Sequence, residues 1–140
     1  MKVLIADDHR LIIEGVKIKL AELDPGVEAV VAMNLDELDR AVAEHADELD
    51  LVLVDITMPG TNGHQHVAGL RAQAPALPVI VLSGSEDVEL MRSLIDLGVL
   101  GFIPKAYSPD VMLSATRLVL AAGIYIPPLL LANAHAQGWQ

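Results

Sequence analysis

The stretch Leu51-Val52-Leu53-Val54-Asp55-Ile56-Thr57-Met58-Pro59-Gly60 decides the fold. Four apolar residues run without a polar break, then meet one carboxylate and a Met-Pro-Gly turn. Apolar side chains at successive positions fit a strand covered on both faces, as in a parallel sheet. Pro59 and Gly60 end the strand. Asp55 therefore stands at a carboxyl end, on the edge where open α/β sheets bind ligands. Taken alone, Asp55 is equally well a solvated aspartate in a strand-end turn, so the rest of the chain has to separate the two readings.

Around that strand the chain alternates. Lys2 to Ala6 reads as a first strand ending in Asp7-Asp8. From Leu11 to Leu23 the apolar residues Ile12, Val16 and Leu20 recur at helical spacing. Asp24-Pro25-Gly26 is a turn, and Val27 to Ala32 a second strand. Asn34, with Glu37 three residues on, starts a second helix that buries Leu35, Leu38 and Val42. After Gly63 a third helix carries Val67 and Leu70. Val79 to Leu82 is a fourth strand, ending in Ser83-Gly84-Ser85, and Ser85 caps a fourth helix that stops at Gly98. Val99 to Ile103 is a fifth strand with Lys105 just past it. Ser108-Pro109-Asp110 opens a fifth helix running to Gly123. Five strand-helix repeats predict an α/β domain over residues 1–123, with a parallel sheet and helices on both faces. Residues 124–140, broken by Pro127-Pro128, are expected to be a linker or tail, with Trp139 unpacked or docked on a missing neighbour.

Composition narrows the function. The chain has 140 residues, 53% of them hydrophobic, enough for one domain with a full core. It has no cysteine, hence no disulfide framework and no thiolate metal site. The net charge of -10 and 3% aromatic content argue against phosphate-backbone contacts and base stacking by this segment. Met1-Lys2 leads straight into a strand, and no apolar run is long enough for a bilayer. The expectation is a soluble cytoplasmic protein with no membrane partner.

In a parallel sheet all carboxyl ends share one edge. That edge would carry Asp7 and Asp8 after the first strand, Asp55 after the third, Ser83 after the fourth and Lys105 after the fifth. Two like charges 4 Å apart repel by about 4 kcal/mol at an effective dielectric of about 20. Either one carboxyl is protonated or a cation joins them. An all-oxygen set favours a hard ion, and Mg2+ suits best because it accepts a few carboxylates and keeps room for a phosphate. Asp55 would then be a nucleophile toward a phosphoryl group, with Lys105 and Ser83 neutralising and hydrogen-bonding its oxygens.

These motifs resemble the receiver domain of bacterial two-component response regulators. The resemblance rests on Ala6-Asp7-Asp8-His9, Val54 to Gly60 with Gly63, Leu82-Ser83-Gly84 and Gly101-Phe102-Ile103-Pro104-Lys105, in order, each at a predicted strand end. His9 and Gly123-Ile124-Tyr125-Ile126-Pro127 add a likeness to the LuxR-type, nitrate-response-like branch. The resemblance implies a flavodoxin-like sheet of order 2-1-3-4-5. It implies that Asp55 accepts a phosphoryl group from a sensor histidine kinase. Asp8, Asp55 and the backbone carbonyl of Thr57 would bind Mg2+, Asp7 acting through a water. Lys105 would pair with the aspartyl phosphate, and Ser83 and Phe102 would form the switch pair. The fourth helix, fifth strand and fifth helix would present the changed face, with a possible homodimer. DNA would be reached only through a C-terminal helix-turn-helix domain absent from this chain. Phe102 stands where tyrosine is commoner, Ser83 where threonine is, and Ala106 where many relatives carry proline, which leaves the isomer of the Lys105–Ala106 bond open.

Three other readings are weaker. A haloacid-dehalogenase-like Mg2+ phosphatase needs a second Asp two residues after the nucleophile, and that position is Thr57. A flavodoxin-like flavin module needs a phosphate loop where Asp7-Asp8 would repel phosphate. A stand-alone interaction module without phosphorylation leaves the complete acidic set unexplained. His64 and His66 lie on different helix faces and read as surface residues; His9 reads as a helix-start residue within reach of the acidic pocket.

Overall fold

The computed structural model describes residues 1–125. Strands β1 (Lys2–Ala6), β2 (Glu28–Ala32), β3 (Leu51–Asp55), β4 (Val79–Ser83) and β5 (Gly101–Pro104) alternate with helices α1 (Arg10–Leu23), α2 (Leu35–His45), α3 (Gln65–Gln73), α4 (Val88–Asp96) and α5 (Pro109–Leu120). The strands form one sheet ordered β2-β1-β3-β4-β5, parallel throughout. This is the expected flavodoxin-like arrangement.

Strand periodicity builds two cores from one sheet. Leu4, Val52, Val54, Val81 and Phe102 face α2, α3 and α4, where they meet Leu38, Val42, Val67, Leu70, Met91 and Leu94. Val3, Ile5, Leu51, Leu53, Ile80 and Leu82 face α1 and α5, against Ile13, Val16, Leu20, Met112 and Val119. Every residue of β3 and β4 is buried, which accounts for their unbroken apolar runs. Each fully buried Leu, Ile or Val contributes about 1.5–3 kcal/mol.

Several local expectations shift. In α1 the buried stripe is Ile13, Val16 and Leu20, with Ile12 only partly covered. Ser85 does not cap α4. Its N–H is taken by the Ser83 hydroxyl at 3.1 Å, which holds it in the strand-end turn, and Asp87 caps the helix through Glu89 N at 3.0 Å. Strand β5 begins at Gly101 rather than Val99, and α5 ends at Leu120 rather than Gly123, because Ala122 takes a left-handed φ of 68° and turns the chain. The Asn34, Ser108 and Pro109 helix starts form as expected. Described residues contain no cis peptide, so Lys105–Ala106 is trans. Tyr125 N donates to Leu100 O at 2.9 Å; the remaining tail, including Pro127-Pro128 and Trp139, lies outside the described residues.

Among the described residues no helix is long and apolar enough to cross a membrane. The α4–β5 turn depends on Gly98, whose φ of 94° suits glycine and whose absent Cβ leaves room for the Arg71 guanidinium, 2.7 Å from where that atom would be. Arg71 in turn donates to the carbonyls of Leu97 and Pro75. Gly98→Ala should therefore lower stability by about 1–2 kcal/mol, the cost of a left-handed non-glycine residue, read as a lower urea midpoint with an unchanged slope.

Candidate functional site

The sheet order reverses direction between β1 and β3, and ligands bind such switch points at the carboxyl edge. Asp7 follows β1 and Asp55 ends β3, so the two come from adjacent strands. The backbone ladders run on past the strands: Asp7 N donates to Ala32 O, Ile56 N to Leu82 O and Lys105 N to Ser83 O. Asp7, Asp55 and Lys105 are thus attached to the rigid edge of the sheet, not to a free loop.

The side chains converge. Lys105 Nζ lies 2.9 Å from Asp55 Oδ2 and 3.0 Å from Asp7 Oδ2. Asp55 is 2% exposed and Asp7 wholly buried. Thr57 N donates to Asp55 Oδ1 at 3.0 Å, fixing the carboxylate plane. Asp8, Thr57 and Gly84 line the same open cleft of about 530 Å³ with Asp55 and Lys105. Ser83 lies one residue beyond Leu82, the register partner of Asp55, and opens on an adjoining depression shared with Thr57 and Gly84. Phe102 is fully buried in the core facing α2, α3 and α4 and does not line the cleft.

Electrostatics follow from burial and pairing. Burial pushes the Asp55 carboxyl above the usual range; the Thr57 N–H and Lys105 pull it back only in part, and Asp7 adds to the rise. Burial alone would lower Lys105, but the carboxylates of Asp55 and Asp7 beside it outweigh that and its pKa is raised. Ligand atoms of Asp7, Asp8, His9 and Asp55 lie within 4.8 Å of one another. Asp7 Oδ2 and Asp8 Oδ1 are buried and accept no hydrogen bond. For Asp7 Oδ2 the ammonium of Lys105 is an ionic neighbour without hydrogen-bond alignment. Negative oxygens that lack donors fit a divalent cation.

Residues 3–117 match the family described as response regulator receiver domain. The chain belongs to that family. Receivers are signalling modules rather than classical enzymes. This one is 34% identical over 137 residues to the glycerol metabolism activator of Pseudomonas putida, spanning 98% of this chain and 62% of that protein. It is 35% identical over 116 residues to the nitrate/nitrite response regulator protein NarP of Escherichia coli (strain K12), spanning 83% of this chain and 53% of NarP. The receiver thus covers somewhat more than half the length of these curated relatives. The isolated REC domain of RcsB from Salmonella enterica serovar Typhimurium, solved with the phosphomimetic BeF3-, superposes with a TM-score of 0.82 at 22% identity, covering 93% of this chain and 95% of that one. That likeness is one of fold.

One histidine fills out the sequence reading and another departs from it. His9 does occupy the N-cap position of α1, but its ring makes no capping bond and turns onto the carboxylates, with Nδ1 2.7 Å from Asp7 Oδ1. The donor set is therefore not oxygen alone. His66 is not a surface residue: it is 8% exposed and its Nε2 lies 2.9 Å from the backbone carbonyl of Asp55. The signal was present, since His66 sits four residues before Leu70 and beside Val67 on the buried stripe of α3.

Two outcomes follow. His66→Leu leaves the Asp55 carbonyl without its donor and should cost about 1–3 kcal/mol in urea unfolding. Asp55→Asn should act in the opposite direction. A carboxyl whose folded pKa is raised favours the native state at low pH, and that contribution is lost as pH rises through the folded pKa. In chelator-treated solution near about pH 7, Asp55→Asn should melt at a higher temperature than wild type, with the gap closing toward about pH 4.

Proposed function

We propose that this receiver is a phosphorylation-dependent switch in which Asp55 accepts a phosphoryl group from a phosphohistidine of a sensor histidine kinase. The observation that carries the reading is the Lys105 ammonium, 2.9 Å from Asp55 Oδ2 and 3.0 Å from Asp7 Oδ2 at the switch point of the sheet. A carboxylate oxygen of Asp55 attacks phosphorus. The P–N bond breaks, its electron pair returns to the imidazole, and the ring takes up a proton from solvent. The product is an aspartyl phosphate, and its later hydrolysis restores Asp55. These self-directed steps are the only chemistry proposed.

Asp8, Asp55 and the Thr57 carbonyl would hold Mg2+, with Asp7 acting through a water. When bound, the ion neutralises the carboxylates and the transferred oxygens. Lys105 then pairs with the phosphoryl group. Ser83 and Phe102 are the switch pair: the hydroxyl moves to a phosphoryl oxygen and the ring into the space released. The face formed by α4, β5 and α5 changes with them, a population shift biased by one charged group. That face would serve a homodimer or an output. By analogy with its transcription-regulating relatives, the output is a C-terminal helix-turn-helix domain that binds DNA, joined through residues 124–140 as linker. The same reading places the protein in the cytoplasm.

The test is intact-mass spectrometry after incubation with acetyl phosphate and Mg2+. Wild type should gain one phosphate and Asp55→Asn none. Labelling of equal extent in chelator would remove the metal from the scheme, and labelling of Asp55→Asn would remove Asp55.

A further inference from the structure

We propose that His9 is a nitrogen ligand of the cation site and sets which divalent ion this receiver prefers. The inference rests on the reading that the acidic cleft holds a divalent cation. Besides its 2.7 Å approach to Asp7 Oδ1, His9 Nδ1 stands 3.3 Å from Asp8 Oδ1 and 3.9 Å from Asp55 Oδ2, so one ring nitrogen faces all three carboxylates. The orientation is built in. His9 N donates to Asp7 Oδ1 at 2.8 Å, and the ring is spared any capping role.

Two features mark this as a place for a cation. Lys105 Nζ lies 3.1 Å from His9 Nδ1 while also touching Asp55 Oδ2 and Asp7 Oδ2, so one nitrogen and two oxygens already gather around a single positive charge. Asp8 lines the cleft and its buried Oδ1 accepts no hydrogen bond, while the buried Asp7 Oδ2 has only its ionic contact with Lys105. The His9 ring is itself half in solvent, at 58% side-chain exposure. Binding an ion there requires the tautomer with the proton on Nε2, so that the ion, and not a proton shared with Asp7 Oδ1, meets the Nδ1 lone pair.

The chemistry separates ions. Mg2+ takes oxygen donors and keeps its waters. Imidazole nitrogen suits Mn2+ modestly and Zn2+ well, in line with the rise of affinity across the first-row divalent ions. A receiver with carboxylates alone would be hard-ion selective; with His9 added, Mn2+ and Zn2+ gain on Mg2+. In this chain a transition ion would compete for the cleft and change how long the cation stays.

The test is calorimetric titration of the full 140-residue chain with MgCl2, MnCl2 and ZnCl2, repeated on His9→Ala. Circular dichroism checks that the variant is folded. His9→Ala should lose about tenfold or more in Zn2+ affinity, the scale seen when a metal site loses a supporting group, while Mg2+ affinity stays within about twofold. Pulsed electron paramagnetic resonance of the Mn2+-loaded wild type should show nitrogen modulation from an imidazole, absent in His9→Ala and retained in His64→Ala. An unchanged ratio of Zn2+ to Mg2+ affinity in His9→Ala, or nitrogen modulation that persists there, overturns the proposal and leaves the cleft reading standing. If wild type binds none of the three ions, or Mg2+ binding is untouched in Asp8→Asn, the cleft reading itself fails.

Discussion

Three carboxylates and one ammonium meet where the sheet changes direction, and the balance among them governs the rest of the molecule. Asp7 and Asp55 are buried at the ends of adjacent strands, with Asp8 beside them. Like charges about 4 Å apart repel by about 4 kcal/mol each at an effective dielectric of about 20. The Lys105 ammonium offsets part of this by touching two of the three. The raised pKa of Asp55 shows that the offset is incomplete, since burial outweighs the lysine. A site with residual negative charge and donor-free oxygens attracts further positive charge. A site whose lysine can move to another anion is able to change partners. Both properties come from the same shortage of cations.

The fold makes that shortage durable. A flexible loop would relieve repulsion by letting carboxylates drift into water. Here Asp55 belongs to a strand whose five residues are all buried, and its neighbours are tied into parallel ladders on both sides. Lys105 follows β5, the edge strand, and its N–H donates to Ser83 O. Its side chain therefore reaches past β4 to β3. Proline at 104 is tolerated because β5 has an open side and Pro there forfeits no central ladder bond. The same geometry links Asp55 to the ends of β4 and β5, so a new charge on Asp55 bears on Ser83 and Lys105 before anything else.

What was legible in the sequence was whatever depends on strand and helix period. The runs Leu51–Val54 and Val79–Leu82, closed by turn residues, fit strands covered on both faces, and parallel order then put Asp7, Asp8, Asp55 and Lys105 on one edge. Boundaries were less legible because they are set by competition between neighbouring groups. Ser85 and Asp87 both suit a cap, and it is Asp87, directly before the first helical residue Val88, whose Oδ1 accepts from the N–H groups of Glu89 and Leu90. His66 was misplaced for a related reason. A histidine on a helix is compatible with surface or core, and only the unpaired carbonyl of Asp55 opposite it gives His66 a reason to be inside.

His9 and His66 use opposite ends of the same chemistry. His66 lends an N–H to the carbonyl of Asp55 from within the core, and its Nδ1 is buried without a partner, so it serves as a structural donor. His9 stands half in solvent with Nδ1 turned to carboxylates and an ammonium, so this ring nitrogen faces where positive charge collects. The two flank Asp55 from different elements, α3 behind its backbone and the start of α1 before its side chain. Asp55 is thereby held at its main chain by a group indifferent to the cation, and met at its side chain by one that responds to it. That division lets the charge at the strand end change while the strand stays in register.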